Sequence, residues 1–126
     1  WVEGNHDPDP PAHLGGRASK VLRIGALVFR HEPTGEIGEV SGHLHPAAKI
    51  IGRGRSVRRR CFASDGARLG MPAMGAFTGG LNVLDEAFAP IFPEGAMAFA
   101  LGQDRVFMVA AKSLVADMPR GARWKF

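Results

Sequence analysis

Two histidines that stand two positions apart have the types and spacing that could do chemistry. They are His43 and His45 in the segment SGHLHP, residues 41–46. Residues two apart in an extended or turning backbone can point to the same side, so both imidazoles can face one cavity. Gly42 would permit a backbone geometry that a side chain hinders, and Pro46 would stiffen the exit. The pair therefore predicts metal ligation, with two surface histidines on a loop as the alternative interpretation.

The segment GNHD, residues 4–7, supplies chemistry that would complement this pair. The side-chain carbonyl of Asn5 is a neutral hard oxygen ligand, and His6 beside it can serve as a ligand or as a proton donor near a metal. The alternative is a simple Asx-type turn. His31 follows the apolar segment LVFR, and taken alone it would be interpreted as a core or cap histidine. Taken together, the three segments predict that polar side chains gather at one edge of a sheet.

A cluster of arginines suggests a polyanionic partner. The chain has a formal net charge of +4 at pH 7, and its segment RGRSVRRR contains Arg53, Arg55, Arg58, Arg59 and Arg60. Clustered basic side chains gain affinity for phosphates by releasing counterions. A solvated strand edge whose charges discourage aggregation would have the same pattern. The cluster therefore leaves both phosphate contact and a solvated edge open.

Most of the elements that must position these side chains are strands. The patterns predict strands over residues 21–29, 36–40 and 47–64, the first of them buried and the last ended by the turn SDG. Near the C-terminus, apolar segments on both sides of Gln103 and Asp104 predict a hairpin. Residues 81–92 are the best helical candidate, interrupted by Pro90. Many strands with few helices indicate a strand-rich α/β layered domain.

The composition is that of an ordinary folded domain. With 126 residues, 45% of them hydrophobic and 22% charged, we expect a single domain over residues 1–126 with a real core. No apolar run approaches the roughly 20 residues that cross a bilayer, and no export signal begins the chain, so we expect a cytoplasmic protein with no membrane partner. The chain begins at Trp1 without an initiator Met, which suggests that it is cut from something longer.

Other residues with chemical potential are expected to be structural. The single cysteine, Cys61, cannot form a disulfide within the chain, which fits a reducing compartment, and it is expected to be a small buried hydrophobe. His13 lies outside every motif and is expected at the surface. The five methionines are expected to fill gaps in the core. A polar turn is expected to be structural and not a substrate contact; its residues are Thr78, Gly79, Gly80 and Asn82.

The motifs resemble those of a known superfamily when their order is considered. GNHD, then a strand ending at His31, then GHLHP resemble the C-terminal half of the calcineurin-like metallophosphoesterases. The segments WVEGNHDP, GEVSGHLHPAAKI and RCFASDGARLGMPAMGAFTGGLNVLD are similar to the ligase-associated DNA damage response endonuclease family, PdeM. The resemblance covers most of the chain and depends on order and spacing as well as on residue type. It implies the C-terminal, strand-rich part of a layered αββα metallophosphoesterase sandwich of the α/β class.

The resemblance also implies roles for individual residues. The ligands of one ion would be Asn5, His31 and His43, and His45 would bind a second ion. His6 would lie close to the scissile phosphate, where it would stabilise the transition state or protonate the leaving oxygen, and Asp7 would orient that histidine or its loop. The reaction would be in-line hydrolysis assisted by two divalent ions. Mn²⁺ is the usual expectation, and Zn²⁺ or Fe are alternatives that a mixed N/O site also accepts.

The chain departs from the family pattern at its start. That pattern begins with an Asp-x-His motif and a later Gly-Asp, and neither precedes GNHD here. Those carboxylates include the one that bridges the two ions, and without it nothing offsets the repulsion between two divalent cations. We therefore expect the chain alone to hold one ion weakly at most and to have little phosphoesterase activity unless the missing part is supplied.

Three functions stay open from the sequence. The leading hypothesis is a metal-dependent phosphodiesterase or nuclease that acts on DNA or another phosphodiester, with the arginine cluster near the phosphate backbone. A role in DNA repair, with a DNA ligase or helicase system as partner, comes from the resemblance alone. The second hypothesis is a small-molecule or nucleotide phosphoesterase whose substrate binding is insensitive to salt. The third is a non-catalytic scaffold that binds without hydrolysis.

Overall fold

The computed structural model describes residues 1–6, 9 and 11–118, and within them the chain forms one eight-stranded mixed sheet. The strands are β1 (Val21–Ile24), β2 (Leu27–Arg30), β3 (Glu39–Ser41), β4 (Ala47–Gly52), β5 (Arg55–Ser64), β6 (Leu69–Gly70), β7 (Met97–Leu101) and β8 (Val106–Val109). Their order is β1-β2-β3-β6-β5-β7-β8, and β4 pairs with β5 beside this path. β2 and β6 both run parallel to β3, and the other pairs are antiparallel.

Helical structure is limited to single turns. In the described residues the two helical elements are 3₁₀ helices, Glu86–Phe88 and Ala111–Ser113. The predicted helix over residues 81–92 is therefore wrong, apart from the single turn Glu86–Phe88. The side chain of Asp85 accepts a hydrogen bond from the backbone N–H of Ala87 and caps this turn. Pro90 follows two positions after the turn, and it has no N–H with which to continue a helix.

The prediction of one buried strand over residues 21–29 is also wrong, because the segment is a hairpin. β1 and β2 pair antiparallel with Ile24 opposite Leu27, so Gly25 and Ala26 form a two-residue turn. All four residues of β1 are exposed, whereas Val28 in β2 is buried. An apolar run of this length is thus folded back on itself, and only one of its halves reaches the core. The short strand expected over residues 36–40 begins only at Glu39.

The long strand expected over residues 47–64 is likewise two strands, β4 and β5. They turn at Arg53 and Gly54, whose φ angles of 49° and 75° are those that a two-residue type I′ turn requires at both central positions. β5 ends at Ser64, before the expected turn. The hairpin predicted near the C-terminus is confirmed, since β7 and β8 pair antiparallel with Leu101 opposite Val106.

The core lies where β4, β5 and β7 meet the segment that follows β6. Its buried residues are Ala48, Cys61, Ala63, Val83, Phe88, Ile91, Phe92 and Ala98. The strands contribute small side chains, and the aromatic pair of Phe88 and Phe92 fills the space above them with rings stacked at 6.3 Å. Cys61 is fully buried, as expected, and burial raises the pKa of its thiol to about 12.

The expectation that the methionines fill core gaps is wrong for most of them. Four are exposed, at Met74, Met97, Met108 and Met118, and Met71 is half-buried. The reason is that Met74 lies on a loop and Met118 near the end of the described chain, while Met97 and Met108 take exposed positions on β7 and β8. Among the residues described, no helix has the length and apolar character that crossing a bilayer demands.

Candidate metal centre

The carboxyl ends of two neighbouring parallel strands bring two of the histidines together. β2 and β3 are parallel, with Arg30 opposite Ser41 at their last residues. His31 directly follows β2, and His43 follows β3 after one intervening glycine. The backbone N–H of Gly42 donates to the carbonyl of His31 at 3.0 Å, which ties the two segments together beyond the sheet. Parallel pairing therefore places these imidazoles at the same sheet edge, where functional side chains of such sheets commonly lie.

The N-terminal segment is laid across this edge by a short backbone ladder. Val2 forms a parallel bridge with Ser19, and the N–H of Glu3 donates to the Ser19 carbonyl at 3.0 Å. Asn5 then reaches His31, and its Oδ1 lies 2.6 Å from Nε2 of that ring. A Cβ at Gly4 would lie only 3.2 Å from His31 Nδ1, so the missing side chain at Gly4 permits this close approach.

Three side chains converge on one point. His43 Nδ1 lies 3.2 Å from His31 Nε2, and the two rings are nearly perpendicular, with an interplanar angle of 79°. Nε2 of His31 thus faces both Asn5 Oδ1 and His43 Nδ1. Nε2 of His31 carries at most one proton, so it can donate to only one of these partners. The tautomers of the two histidines set which nitrogen donates and which accepts. Lone pairs gathered around a small space in this way suit ligands of one cation.

The electrostatic environment favours a neutral His31. Partial burial lowers the pKa of its imidazole, and the proximity of His43 lowers this pKa further, against a weaker opposite effect of Glu32. A neutral imidazole is the form that donates a lone pair to a metal. The environment of His31 is therefore compatible with ligation near neutral pH.

The backbone of the SGHLHP segment adopts an unusual conformation at both histidines. His43 and His45 have φ angles of 63° and 50°, in the left-handed region that costs a non-glycine residue about 1 kcal/mol or more. Gly42 is not in that region, and a Cβ there would make an ordinary contact 3.6 Å from His31 Nδ1, so the expectation about Gly42 is wrong. Leu44 packs against the core between the two histidines, and Pro46 is buried behind them. These contacts hold the conformation in place.

One cleft of about 570 Å³ contains the other predicted site histidines. His6 and His45 line it together with His31 and His43, and its opposite wall is made by residues 71–75 and Thr78. His45 also borders a smaller cavity of about 230 Å³, which Arg58, Arg59 and Arg60 line. The pair thus faces one cleft, as the spacing predicts. Of the two, His43 makes the contact with His31, whereas His45 lies between the cleft and the arginines.

The donor set fits one ion incompletely. Among the described residues, no group of three or more His, Cys, Asp or Glu side chains is arranged to hold a metal. The convergence consists instead of two imidazoles and the amide oxygen of Asn5, which suit Mn²⁺, Zn²⁺ or Fe. Within the described part of the chain, these three side chains make no hydrogen bond to a carboxylate. Asp7, predicted to orient His6, lies outside the described residues.

The arginine cluster is divided between two uses. Arg60 donates to the backbone carbonyls of Ala73 and Ala76 at 3.1 Å each, and also to that of Gly75. Arg58 forms an ion pair with Asp117 at 2.7 Å and donates to the Gly80 carbonyl at 2.7 Å. The side chains that stay available to a partner are Arg53, Arg55 and Arg59, all exposed. Two of the five predicted phosphate contacts are therefore bound within the protein.

Two structural contributors were not predicted from the sequence. Glu39 is buried, and its carboxylate accepts from the N–H and hydroxyl of Thr34 at 2.9 and 2.7 Å, and is paired with Arg30 at 3.3 Å. It thereby holds the loop that follows His31. No local signal marked Glu39, because its partner Arg30 lies nine residues earlier in the chain, at the end of β2. The second is the close contact of Gly80, an expected turn residue, with the carbonyl oxygen of His45, which a Cβ at position 80 would overlap.

The expected structural residues behave largely as predicted. Asn82 is buried, and its side chain donates to the Val115 carbonyl at 2.9 Å and accepts from the N–H of Leu84 at 3.0 Å. The polar turn is thus fastened to the fold at this residue. Thr78 borders the histidine cleft, so this residue of the turn is also available to a substrate. His13 is exposed, as expected.

The described residues form a strand-rich mixed sheet with only single helical turns. No protein-family model and no curated protein matches the chain. Among solved structures, the chain is similar to the nuclease MPE of Pseudomonas putida, with a TM-score of 0.62 and 26% sequence identity. The similarity covers 86% of this chain and 52% of the nuclease, so the chain spans about half the length of that protein. This neighbour and the mixed sheet agree with the predicted strand-rich fold, and the layered αββα sandwich stays a prediction.

Proposed function

We propose that this chain forms part of a metal-dependent phosphodiesterase of the calcineurin-like kind, which hydrolyses the backbone of a nucleic acid. The observation that carries the proposal is the convergence of Asn5, His31 and His43 at the ends of two parallel strands. The likeness to a nuclease supports the choice of substrate class. A role in DNA repair with a ligase or helicase partner stays a prediction from the resemblance.

The proposed ligands divide into two sets. Asn5, His31 and His43 would hold one ion, and His45, across the same cleft, would contribute to a second. When bound, Mn²⁺, or alternatively Zn²⁺ or Fe, would generate a nucleophile from water and stabilise the charge that develops on the phosphate. The left-handed backbone at both histidines fixes their directions before any ligand arrives, which reduces the entropy that binding must overcome.

His6 is the proposed catalytic group that does not ligate. It is exposed and lines the cleft with the ligand histidines, so an imidazole there can reach a bound phosphodiester. In this role it stabilises negative charge or delivers a proton to the leaving oxygen. Asp7 would keep the imidazole of His6 oriented, as the resemblance implies.

Charge balance indicates that further ligands complete the centre. Two divalent cations carry four positive charges, and the ligands in the described cleft are neutral imidazoles and an amide. We propose that carboxylates from Asp-x-His and Gly-Asp motifs outside residues 1–126 supply the compensating charge. On this proposal the chain alone binds one ion weakly.

The test compares the chain alone with the chain joined to a segment that carries those two motifs. Mn²⁺-dependent hydrolysis of an oligonucleotide and of bis(p-nitrophenyl) phosphate is measured for both. We expect turnover only in the longer protein, and we expect His43→Ala to abolish it there. Equal activity of the two forms would refute the need for added carboxylates. Oligonucleotide binding without any hydrolysis in the longer form would favour a scaffold.

A small-molecule phosphoesterase is the second candidate, favoured by the internal use of Arg58 and Arg60. It predicts that substrate binding does not depend on salt or on the exposed arginines. A nucleic-acid enzyme predicts that Arg55→Ala lowers the slope of log affinity against log salt by about 1, with hydrolysis of bis(p-nitrophenyl) phosphate unchanged. Affinity measured over a salt series decides between the two.

A further inference from the structure

The loop of residues 71–80, opposite the histidines, presents large apolar side chains to solvent. Met74 and Phe77 are 85% and 104% exposed, so Phe77 packs against none of the residues that the structure describes. Met74 and Thr78, on either side of it in sequence, line the histidine cleft. Phe77 therefore lies at the rim of this cleft. A fully exposed phenylalanine beside a functional cleft suggests a contact that forms on binding.

The rest of the protein braces this loop. Arg60 donates to the backbone carbonyls of Ala73 and Ala76, before Phe77, at 3.1 Å each and to that of Thr78, after it, at 3.5 Å. Arg58 holds the end of the loop through the carbonyl of Gly80. Because these bonds are made to the main chain, the loop keeps its course whatever side chain stands at position 77. Phe77 thus projects from a fixed base.

The charge around the loop indicates what covers Phe77. Arg58, Arg59 and Arg60 line the small cavity with Thr78, Gly79 and His45, and the Arg60 guanidinium donates to the carbonyl of Ala76, the residue before Phe77. An aromatic face next to positive charge suits a nucleic-acid strand, whose bases stack while its phosphates meet cations. Two apolar side chains alone are much less than the area of a stable protein interface, which makes a protein partner the weaker match.

We propose that Phe77 stacks on a nucleobase next to the scissile phosphate and so fixes the position of the strand in the histidine cleft. Met74 would contact the same base from the cleft side, and Arg59 the adjacent phosphate. This inference rests on the proposed function, since it assigns the base contact of the same site. It makes Phe77 a substrate-binding residue whose effect depends on the presence of a base.

The first test measures binding without requiring hydrolysis. The longer protein described above, in its wild-type form and as Phe77→Ala, Phe77→Trp and Met108→Ala, is titrated with a fluorescein-labelled single-stranded oligonucleotide in EDTA. We expect Phe77→Ala to raise Kd about tenfold or more, and Phe77→Trp to retain affinity. Met108 is 70% exposed on β8 and serves as the matched control, with unchanged affinity expected. Equal Kd values for Phe77→Ala and Met108→Ala would overturn the proposal, as would a wild type that does not bind.

The second test removes the base instead of the side chain. Oligonucleotides with one abasic residue placed at successive positions are titrated against the wild type and Phe77→Ala. At one position we expect the abasic residue to weaken wild-type binding as much as Phe77→Ala does, with no further loss when both changes are combined. Additive losses at every position would overturn the stacking contact.

A small substrate separates this inference from the proposed function. If Phe77→Ala weakens oligonucleotide binding but the wild type hydrolyses neither substrate, the base contact stands and the phosphodiesterase activity fails. If the wild type is active and Phe77→Ala lowers oligonucleotide hydrolysis alone, both stand. An equal loss on bis(p-nitrophenyl) phosphate, which has no nucleobase, would show that position 77 acts through the metal centre and would overturn the stacking contact.

Discussion

The cleft lined by the histidines and the hairpin of β4 and β5, which carries the arginine cluster, differ in how sequence separation relates to contact. At the cleft, His31 contacts Asn5, which is 26 positions earlier in the chain, and His43, which is 12 positions later. His45 stands only two positions after His43 but does not take part in this contact. At the hairpin, Arg58 and Arg60 face the loop of residues 71–80 and bind its main chain. Arg59, between them, lines a different cavity with Ile50 and Ala100 as well as the one near His45. Distant residues thus meet, and adjacent ones separate.

The difference follows from the two geometries of a sheet. Parallel pairing of β2 and β3 aligns their carboxyl ends, so the residues that follow each strand share an edge. Along a single strand such as β5, successive side chains point to opposite faces. A cluster of like residues within one strand is therefore divided: Arg58 and Arg60 bind the loop, while Arg59 lines the small cavity with them and also borders a second cavity. The predictions below test each half of this contrast.

The largest effect is expected at the convergence of Asn5, His31 and His43. His43→Ala removes one of the donor atoms, so Mn²⁺ binding by the chain should fall from weak to undetectable when free Mn²⁺ is followed by electron paramagnetic resonance. His13→Ala is the matched control, because that histidine is exposed and outside the cleft. An equal Mn²⁺ affinity of the two variants would show that the side chains converging on His31 do not bind the metal.

The next effect concerns the arginines that bind inside the protein. Arg60→Ala breaks several charge-assisted hydrogen bonds to the loop of residues 71–80, and we expect it to lower the free energy of unfolding by about 2–3 kcal/mol. Arg58→Ala should cost about 1 kcal/mol or less, because its pair with Asp117 is largely exposed. Urea unfolding measures both, with the exposed Arg55→Ala as the control at less than about 0.5 kcal/mol. A similar loss for all three would contradict the division of the cluster.

A smaller effect is expected where the loop meets the histidine segment. A Cβ at Gly80 overlaps with the His45 carbonyl, so Gly80→Ala should cost about 1–2 kcal/mol and displace one of the two segments. Gly79→Ala is a close control, since no atom lies within 4 Å of a Cβ built there. Thermal unfolding of the two variants gives the comparison. Equal stability would mean that the loop and the histidine segment move apart without cost.

The smallest effect tests the alternation of β5. Cys61 follows Arg60 but points to the opposite face, into the core, where burial raises the pKa of its thiol to about 12. Because the thiolate is the reactive form, a disulfide reagent at pH 8 should label the native protein very slowly and the urea-unfolded protein at once. Rapid labelling of the native form would place Cys61 at the surface and contradict the strand register.

Much of the local structure could be predicted from the sequence, because its causes are local. The hairpin around Gln103 and Asp104 was recognisable from two apolar segments and a polar turn. The splitting of residues 21–29 was not, because an apolar run does not reveal whether a glycine inside it is part of a strand or a turn. The absence of a long helix over residues 81–92 depends on packing, since Phe88, Ile91 and Phe92 enter the core from an irregular segment.

The candidate site shows the same limit. Residue types alone identified the polar groups suited to a metal and a phosphate, and that part of the chemistry is set by the side chains themselves. Sequence spacing alone did not show that Asn5 and His43 would meet at His31, a grouping that only the family resemblance implied. Nor did it show that Arg60 would donate to the backbone of the loop of residues 71–80. Those outcomes depend on which strands pair in parallel and on where the loop of residues 71–80 docks.

By itself, the sequence determined the C-terminal hairpin, the strand-rich composition and the set of chemically able side chains. Only the tertiary structure decided which of them share a cleft, which arginines face solvent and which phenylalanine is fully exposed. The physical reason is that a local pattern restricts backbone angles over a few residues. Strand pairing and loop docking minimise the free energy of the whole chain and set the distances between its segments.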